Sequence, residues 1–114
     1  MLYTILIKAS SISEQALAPS KDLMIQMDQY NDLLEKEGAK VLAKGLHPTK
    51  SAFRIRFKDG KKIESKGPFL PKNEQISGFF LIEVKSDEEA ISLFRKCPDP
   101  IGNNEGLIEL RKVY

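Results

Sequence analysis

A chain of 114 residues is long enough for one domain with one core, burying about 65% of its unfolded surface. With 41% hydrophobic and 30% charged residues it has the composition of a globular protein rather than a disordered one. Eighteen basic against sixteen acidic residues leave a net charge of +2, too little by itself to call for a nucleic-acid or membrane partner.

Residues 1–8 alternate Tyr3, Ile5 and Ile7 with Leu2, Thr4 and Leu6, which predicts a first strand with apolar residues on both faces. The same stretch, followed by Ala16-Leu17-Ala18, superficially resembles a secretory leader. It has no basic n-region, its apolar run ends at Lys8, and Pro19 follows the cleavage-like site, so the expectation is a strand in a cytoplasmic protein. The lone cysteine, Cys97, excludes an intrachain disulfide and fits a reducing compartment. No segment approaches the roughly 20 apolar residues of a membrane span.

Ser10–Ser20 reads as a polar connector. Ser20 then suits an N-cap, and Leu23, Met27, Tyr30 and Leu34 fall on one helical stripe. Gly38 is a natural residue just past the end of that helix. Val41-Leu42-Ala43 follows as a short strand, ended by Gly45 and Pro48.

Phe53, Ile55 and Phe57 alternate with Arg54, Arg56 and Lys58, the first strand of a hairpin. A two-residue Asp59-Gly60 turn would set Lys62 and Glu64 on the face of the three apolar residues. A three-residue loop, Lys58-Asp59-Gly60, instead pairs Phe57 with Lys61, adds Ile63 to the apolar face and sets Arg54 opposite Glu64. The second register is preferred, because burying Lys62 beside Phe57 costs far more than a bulge.

Next come a Gly67-Pro68-Phe69 turn, a polar connector and a strand apolar on both faces. Phe80, Ile82 and Val84 point one way, Phe79 and Leu81 the other. Ser86-Asp87-Glu88-Glu89 reads as a capping box. The helix after it carries Ala90, Ile91, Phe94 and Cys97 inward and ends by Pro98. Asp99–Asn104 is a loop, and Leu107–Val113 a last strand with Ile108 and Leu110 on one face.

The order strand, helix, strand, hairpin, strand, helix, strand predicts a single α+β domain over residues 1–114, ferredoxin-like with an extra β-hairpin. Right-handed crossovers put both helices on one face of the sheet. The apolar residues of the other face then need a partner, and a second sheet in a homodimer is the simplest source.

Candidate chemistry is sparse. His47, the only histidine, has the titration range of a general base, but a plain surface-loop histidine beside Pro48 is the favoured reading. One His and one Cys far apart give no metal signature, and Cys97 on the inner stripe reads as a small buried hydrophobe. Residues 50–72 hold eight cations against Asp59 and Glu64. This basic hairpin can attract an anion or nucleic acid, but no aromatic residue interleaves on its basic face, so a solvated hairpin face is expected and nucleic acid is not. Glu74 stands just before the core strand, as an acid, base or hydrogen-bond anchor in a pocket, or as a partner for backbone amides. No catalytic residue and no cofactor is assigned.

Lys66-Gly67-Pro68-Phe69 and Glu74-Gln75-Ile76-Ser77-Gly78-Phe79-Phe80-Leu81-Ile82 resemble the YCII-related domain family, in particular its DGPF branch, named for Asp-Gly-Pro-Phe. Glu89-Ala90, Arg95-Lys96-Cys97-Pro98, Met1–Ile7 and Gly45-Leu46 followed by Pro48 are similar as well, so the likeness covers the whole chain. It implies a ferredoxin-like protomer in a dimeric α+β barrel, with a cleft near the motif. Some members of the family use a histidine on the first helix with an aspartate as an acid/base pair, and the first helix here contains no histidine. Lys66 stands where the branch has Asp, Pro71 where it has an acidic residue, and Asn73 where it has Lys. The reading that results is a homodimeric small-molecule-binding domain with a site at Phe69, Glu74, His47 and Lys66. The alternatives are an enzyme using Glu74 or His47 for proton transfer and an anion-binding hairpin.

Overall fold

The computed structural model describes residues 1–114. In chain order the elements are β1 (Leu2–Lys8), α1 (Ser11–Glu14), α2 (Lys21–Lys36), β2 (Lys40–Gly45), β3 (Phe53–Lys58), β4 (Lys61–Lys66), β5 (Ile76–Glu83), α3 (Asp87–Arg95) and β6 (Ile108–Lys112), with 3-10 turns at Thr49–Ser51 and Lys72–Glu74. β1, β2, β5 and β6 form one antiparallel sheet in the order β2-β5-β1-β6, and β3 and β4 form a separate two-stranded sheet. The fold is mixed α+β, and neither sheet closes.

Both long helices lie on one face of the four-stranded sheet. Tyr30 and Leu34 of α2 and Ala90 and Leu93 of α3 share a core with Tyr3, Ile5, Phe80 and Ile82 of the central strands. The Tyr30 ring meets Phe80 edge-on, 5.3 Å between centroids, and its hydroxyl donates to the Leu93 carbonyl at 2.7 Å. That bond ties α2 to α3, and burial pushes the Tyr30 hydroxyl's pKa well above its ordinary value.

Helix boundaries follow their caps. The Leu23 amide donates to the Ser20 side chain, and α2 ends before Gly38, whose φ of +69° requires a residue without Cβ strain. At α3 the Glu89 amide donates to the Ser86 hydroxyl, but the Glu89 carboxylate accepts from the Lys85 amide rather than from Ser86. Only half of the predicted capping box therefore forms. Leu93 is buried and Ile91 is 39% exposed, so the inner stripe of α3 is 90, 93 and 94, with Cys97 packed against the core just past its end, and not the one expected through Ile91. The predicted connector after β1 contains a one-turn helix, α1, because Ser10 and Ser13 cap each other: each side chain accepts the other's amide.

The opposite face of the sheet has no cover. The register Leu6↔Phe79, Thr4↔Leu81 and Leu42↔Leu81 gathers Leu2, Leu6, Phe79, Leu81 and Leu42 on it, with Glu109 and Arg111 of β6 alongside. None of these apolar side chains joins the core cluster.

The hairpin differs from its expected register. β3 and β4 join through a two-residue turn, with Lys58↔Lys61, Phe57↔Lys62 and Arg54↔Ser65 paired. Asp59 and Gly60 both take positive φ, +50° and +73°, as such a turn demands. The case against this register assumed a buried face. Every residue of both strands is exposed, so Lys62 opposite Phe57 loses no hydration. Lys62 and Lys66 instead hold their ammonium groups over the rings of Phe57 and Phe53, each 5.9 Å from the centroid, and cations do interleave with aromatic rings.

The hairpin makes the molecule long and thin. Its radius of gyration is 15.8 Å and its extents are 47 × 35 × 20 Å, against about 13 Å for a compact domain of this length. Its surface area of 8088 Å² exceeds the value expected from its mass, about 6,300 Å², by roughly 1,800 Å².

Candidate functional site

The Gly67-Pro68-Phe69 turn is held by residues far away in sequence. The Gly67 amide donates to the Ala52 carbonyl and the Phe69 amide to Thr49 Oγ1, at 2.9 and 3.0 Å. Thr49 in turn gives its amide and its hydroxyl to the two carboxylate oxygens of Glu14, the amide at 3.1 Å. The Arg54 guanidinium stacks on the Phe69 ring at 3.8 Å and reaches Gln75 Oε1 at 3.4 Å. A carboxylate, a hydroxyl and a cation thus converge on one turn, and each of them is already engaged there.

Phe69 is half-buried at the centre of this cluster, while Glu74, His47 and Lys66 are exposed. Glu74 ends the 3-10 turn Lys72–Glu74 and its carboxylate makes no bond within the chain. His47 sits in the loop after β2, also without a hydrogen bond, and Lys66 touches the Phe53 ring. No hydrogen bond or ion pair links these four residues to one another. Arg54 pairs across the hairpin with Ser65 and not with the expected Glu64.

A cleft of about 960 Å³ opens on the other side of α1. Its walls include Lys8 at the end of β1, Leu17 in the connector, Gln26 on α2, Leu46 after β2, and Asp99 and Asn104 in the loop before β6. The α2 N-terminus lies on its rim through Ser20 and Asp22. Asp99 shapes the loop by accepting the amides of Ile101 and Gly102, both at 3.0 Å, and these bonds hold its carboxyl below the usual range. Gly106 is needed behind it, since a Cβ there would come within 2.1 Å of Asp99 Oδ1. The volume falls within the range of small-molecule sites, and the mixture of amide, hydroxyl, ammonium and aliphatic groups suits a polar organic molecule.

No residue of the turn lines the cleft, and the two approach each other only through chain neighbours. Ser13 and Leu46 line the cleft, and their chain neighbours are Glu14, which holds Thr49, and His47. Glu14, Thr49 and Arg54 had no local signal in the sequence. Their partners lie 35, 20 and 15 residues away, and only the fold brings them together. Cys97 packs against the core, its thiol 3.5 Å from the Pro98 carbonyl, and burial pushes its pKa up to about 11. Such a thiol is protonated and unreactive at neutral pH.

An antiparallel α+β domain with two helices on one face, an added hairpin and a cleft at the sheet end is the class that these observations define. Residues 1–114 match the YCII-related domain, and the chain belongs to that family. It is also 40% identical over 50 residues to an uncharacterised protein of Rhizobium meliloti (strain 1021). That match takes in 44% of this chain and 40% of the other protein, so the chain aligns with less than half of that relative's length. No helix is long and apolar enough to cross a membrane.

Proposed function

We propose that this YCII-domain chain works as a homodimer that binds a small organic molecule and performs no catalysis of its own. The cleft is the observation that carries the reading: about 960 Å³, at the sheet end where Ile7, Lys8, Gly45, Leu46 and Ser77 meet. Lys8 is the cation on its wall and faces the carboxylates of Asp22 and Asp99, which favours a polar ligand that meets both signs of charge over a simple anion, while Gln26 and Asn104 suit hydroxyls and amides. Phe69, Glu74, His47 and Lys66 line no part of the cleft and stand in this reading as a separate outer surface. Three of them keep their polar ends in solvent, ready for a ligand or a second protomer.

The dimer half of the proposal rests on the uncovered sheet face and the excess area. Roughly 1,800 Å² of surplus surface per chain is more than the ~800 Å² that each partner gives to a standard interface. The strand order β2-β5-β1-β6 is that of a ferredoxin-like protomer. Two such sheets packed face to face make a dimeric α+β barrel, with Leu6, Phe79 and Leu81 between them. The motif residues Gly67-Pro68-Phe69 and Glu74–Ile82 support a place in the DGPF branch, and the free Cys97 thiol suits the cytoplasm.

A thermal-shift screen of small carboxylates, amides and polyols tests the ligand. The expected result is a shift that disappears in Lys8→Ala or Gln26→Ala, or in Phe69→Ala or His47→Ala for the outer surface. A screen without a hit overturns binding. Turnover of a hit, lost in Glu74→Gln or His47→Ala, replaces binding with proton-transfer catalysis.

A further inference from the structure

The β3–β4 hairpin leaves its own protomer almost entirely. All of its strand residues are exposed, Phe53 by 76%, Phe57 by 73% and Ile55 and Ile63 by 48% each. The register gathers Phe53, Ile55 and Phe57 on one face with Lys62, Glu64 and Lys66. The other face is turned to the body through Arg54, stacked on Phe69. A two-stranded hairpin is at best marginally stable in water, and an outward row of two phenylalanines and an isoleucine has nothing within the chain to cover it.

The geometry points to this hairpin as an arm whose Phe53/Ile55/Phe57 face docks on a second copy of the same chain. Charge selects the occupant. Residues 50–72 carry an excess of six positive charges in a chain of net charge +2, so the remainder carries four net negative charges. A second copy therefore offers a remainder of opposite sign, four net negative charges against the arm's six positive. The area agrees, because the surplus of roughly 1,800 Å² is about twice what one standard face buries. The open sheet face and the arm together account for it better than the sheet face alone. Lys62 and Lys66, already poised over the rings, shield the apolar row before docking and supply charges for the acidic surface afterwards.

This inference rests on the dimer proposed above, and its test separates the two. A photo-reactive benzoylphenylalanine replaces Phe57 in the full-length protein, and sedimentation measures assembly. The expected outcome is a dimer whose cross-links join residue 57 to peptides of the other chain, identified by mixing isotopically labelled and unlabelled protein. The double variant F53S/F57S should raise the dissociation constant about tenfold or more while its far-UV spectrum stays that of the parent. A chain that sediments only as a monomer at high concentration defeats the dimer itself, and the arm with it. A dimer with cross-links confined to one chain, or with an unchanged dissociation constant in F53S/F57S, defeats the arm and leaves the dimer standing. Gel retardation of single-stranded DNA at low salt that is lost in F53S/F57S, with the dimer unaltered, assigns the arm to nucleic acid and overturns the inference.

Discussion

At Gly67 the backbone passes so close to the Thr49 carbonyl that an added Cβ would lie 1.6 Å from its oxygen. The obstacle is main chain on both sides, and no rotamer relieves it. Gly67→Ala should therefore destabilise the protein by roughly 2 kcal/mol or more, in the range of overpacked sites. Gly45 provides the comparison, since a Cβ there finds its nearest atom at 3.9 Å, and Gly45→Ala should be close to neutral. Urea unfolding of the two variants checks this, and equal midpoints would show that the turn yields. The same residue explains what was legible locally. Glycine before Pro68 marks a turn in any sequence, but the Thr49 carbonyl that makes glycine obligatory lies 18 residues upstream, beyond the reach of any local pattern.

On the scale of elements, the joint between α3 and the sheet is electrostatic as well as apolar. Asp87, at the start of α3, accepts the Tyr3 hydroxyl of β1 and pairs with Lys112 of β6 at 3.1 Å. These donors hold the Asp87 carboxyl below its ordinary value, and the neighbouring carboxylate pushes the Tyr3 hydroxyl up. Asp87 thus adds stability above its unfolded pKa of about 3.9, and that part is lost as pH falls through the lower folded value. Tyr3 adds stability below its unfolded pKa of about 10, lost as pH rises through the higher folded value. Tyr3→Phe should be less stable than the parent at pH 7, and the gap should narrow below about pH 4. A gap that stays constant from pH 7 to pH 3 in denaturant titrations would refute the linkage. Elements also show where alternation misleads. Strand β5 and helix α2 were readable because one face is buried against the core, whereas the hairpin register was not. Its period-two pattern implied a buried face, and without burial there was no penalty to exclude Lys62 beside Phe57.

For the molecule as a whole, an uncovered apolar sheet face and an exposed arm predict stability that depends on concentration. A chain that folds into a dimer gains stability by mass action, so the thermal midpoint should rise over a hundredfold range of protein concentration. A midpoint that does not move, measured by calorimetry or dye binding, would describe a monomer. The sequence by itself determined the six strands, the two long helices and their order, though not the one-turn α1, together with the caps at Ser20 and Ser86, the inner stripe of α2 and the two-sided strand Phe79–Val84. It also carried the resemblance to the YCII-related domain. These depend on residues within a few positions of one another, where backbone preference and side-chain periodicity act. Tertiary structure alone decided the Glu14–Thr49–Phe69 cluster, the cleft between α1 and the 99–104 loop, and the detachment of the hairpin from the core. Each of those is a meeting of chain segments distant in sequence, fixed by how the layers pack.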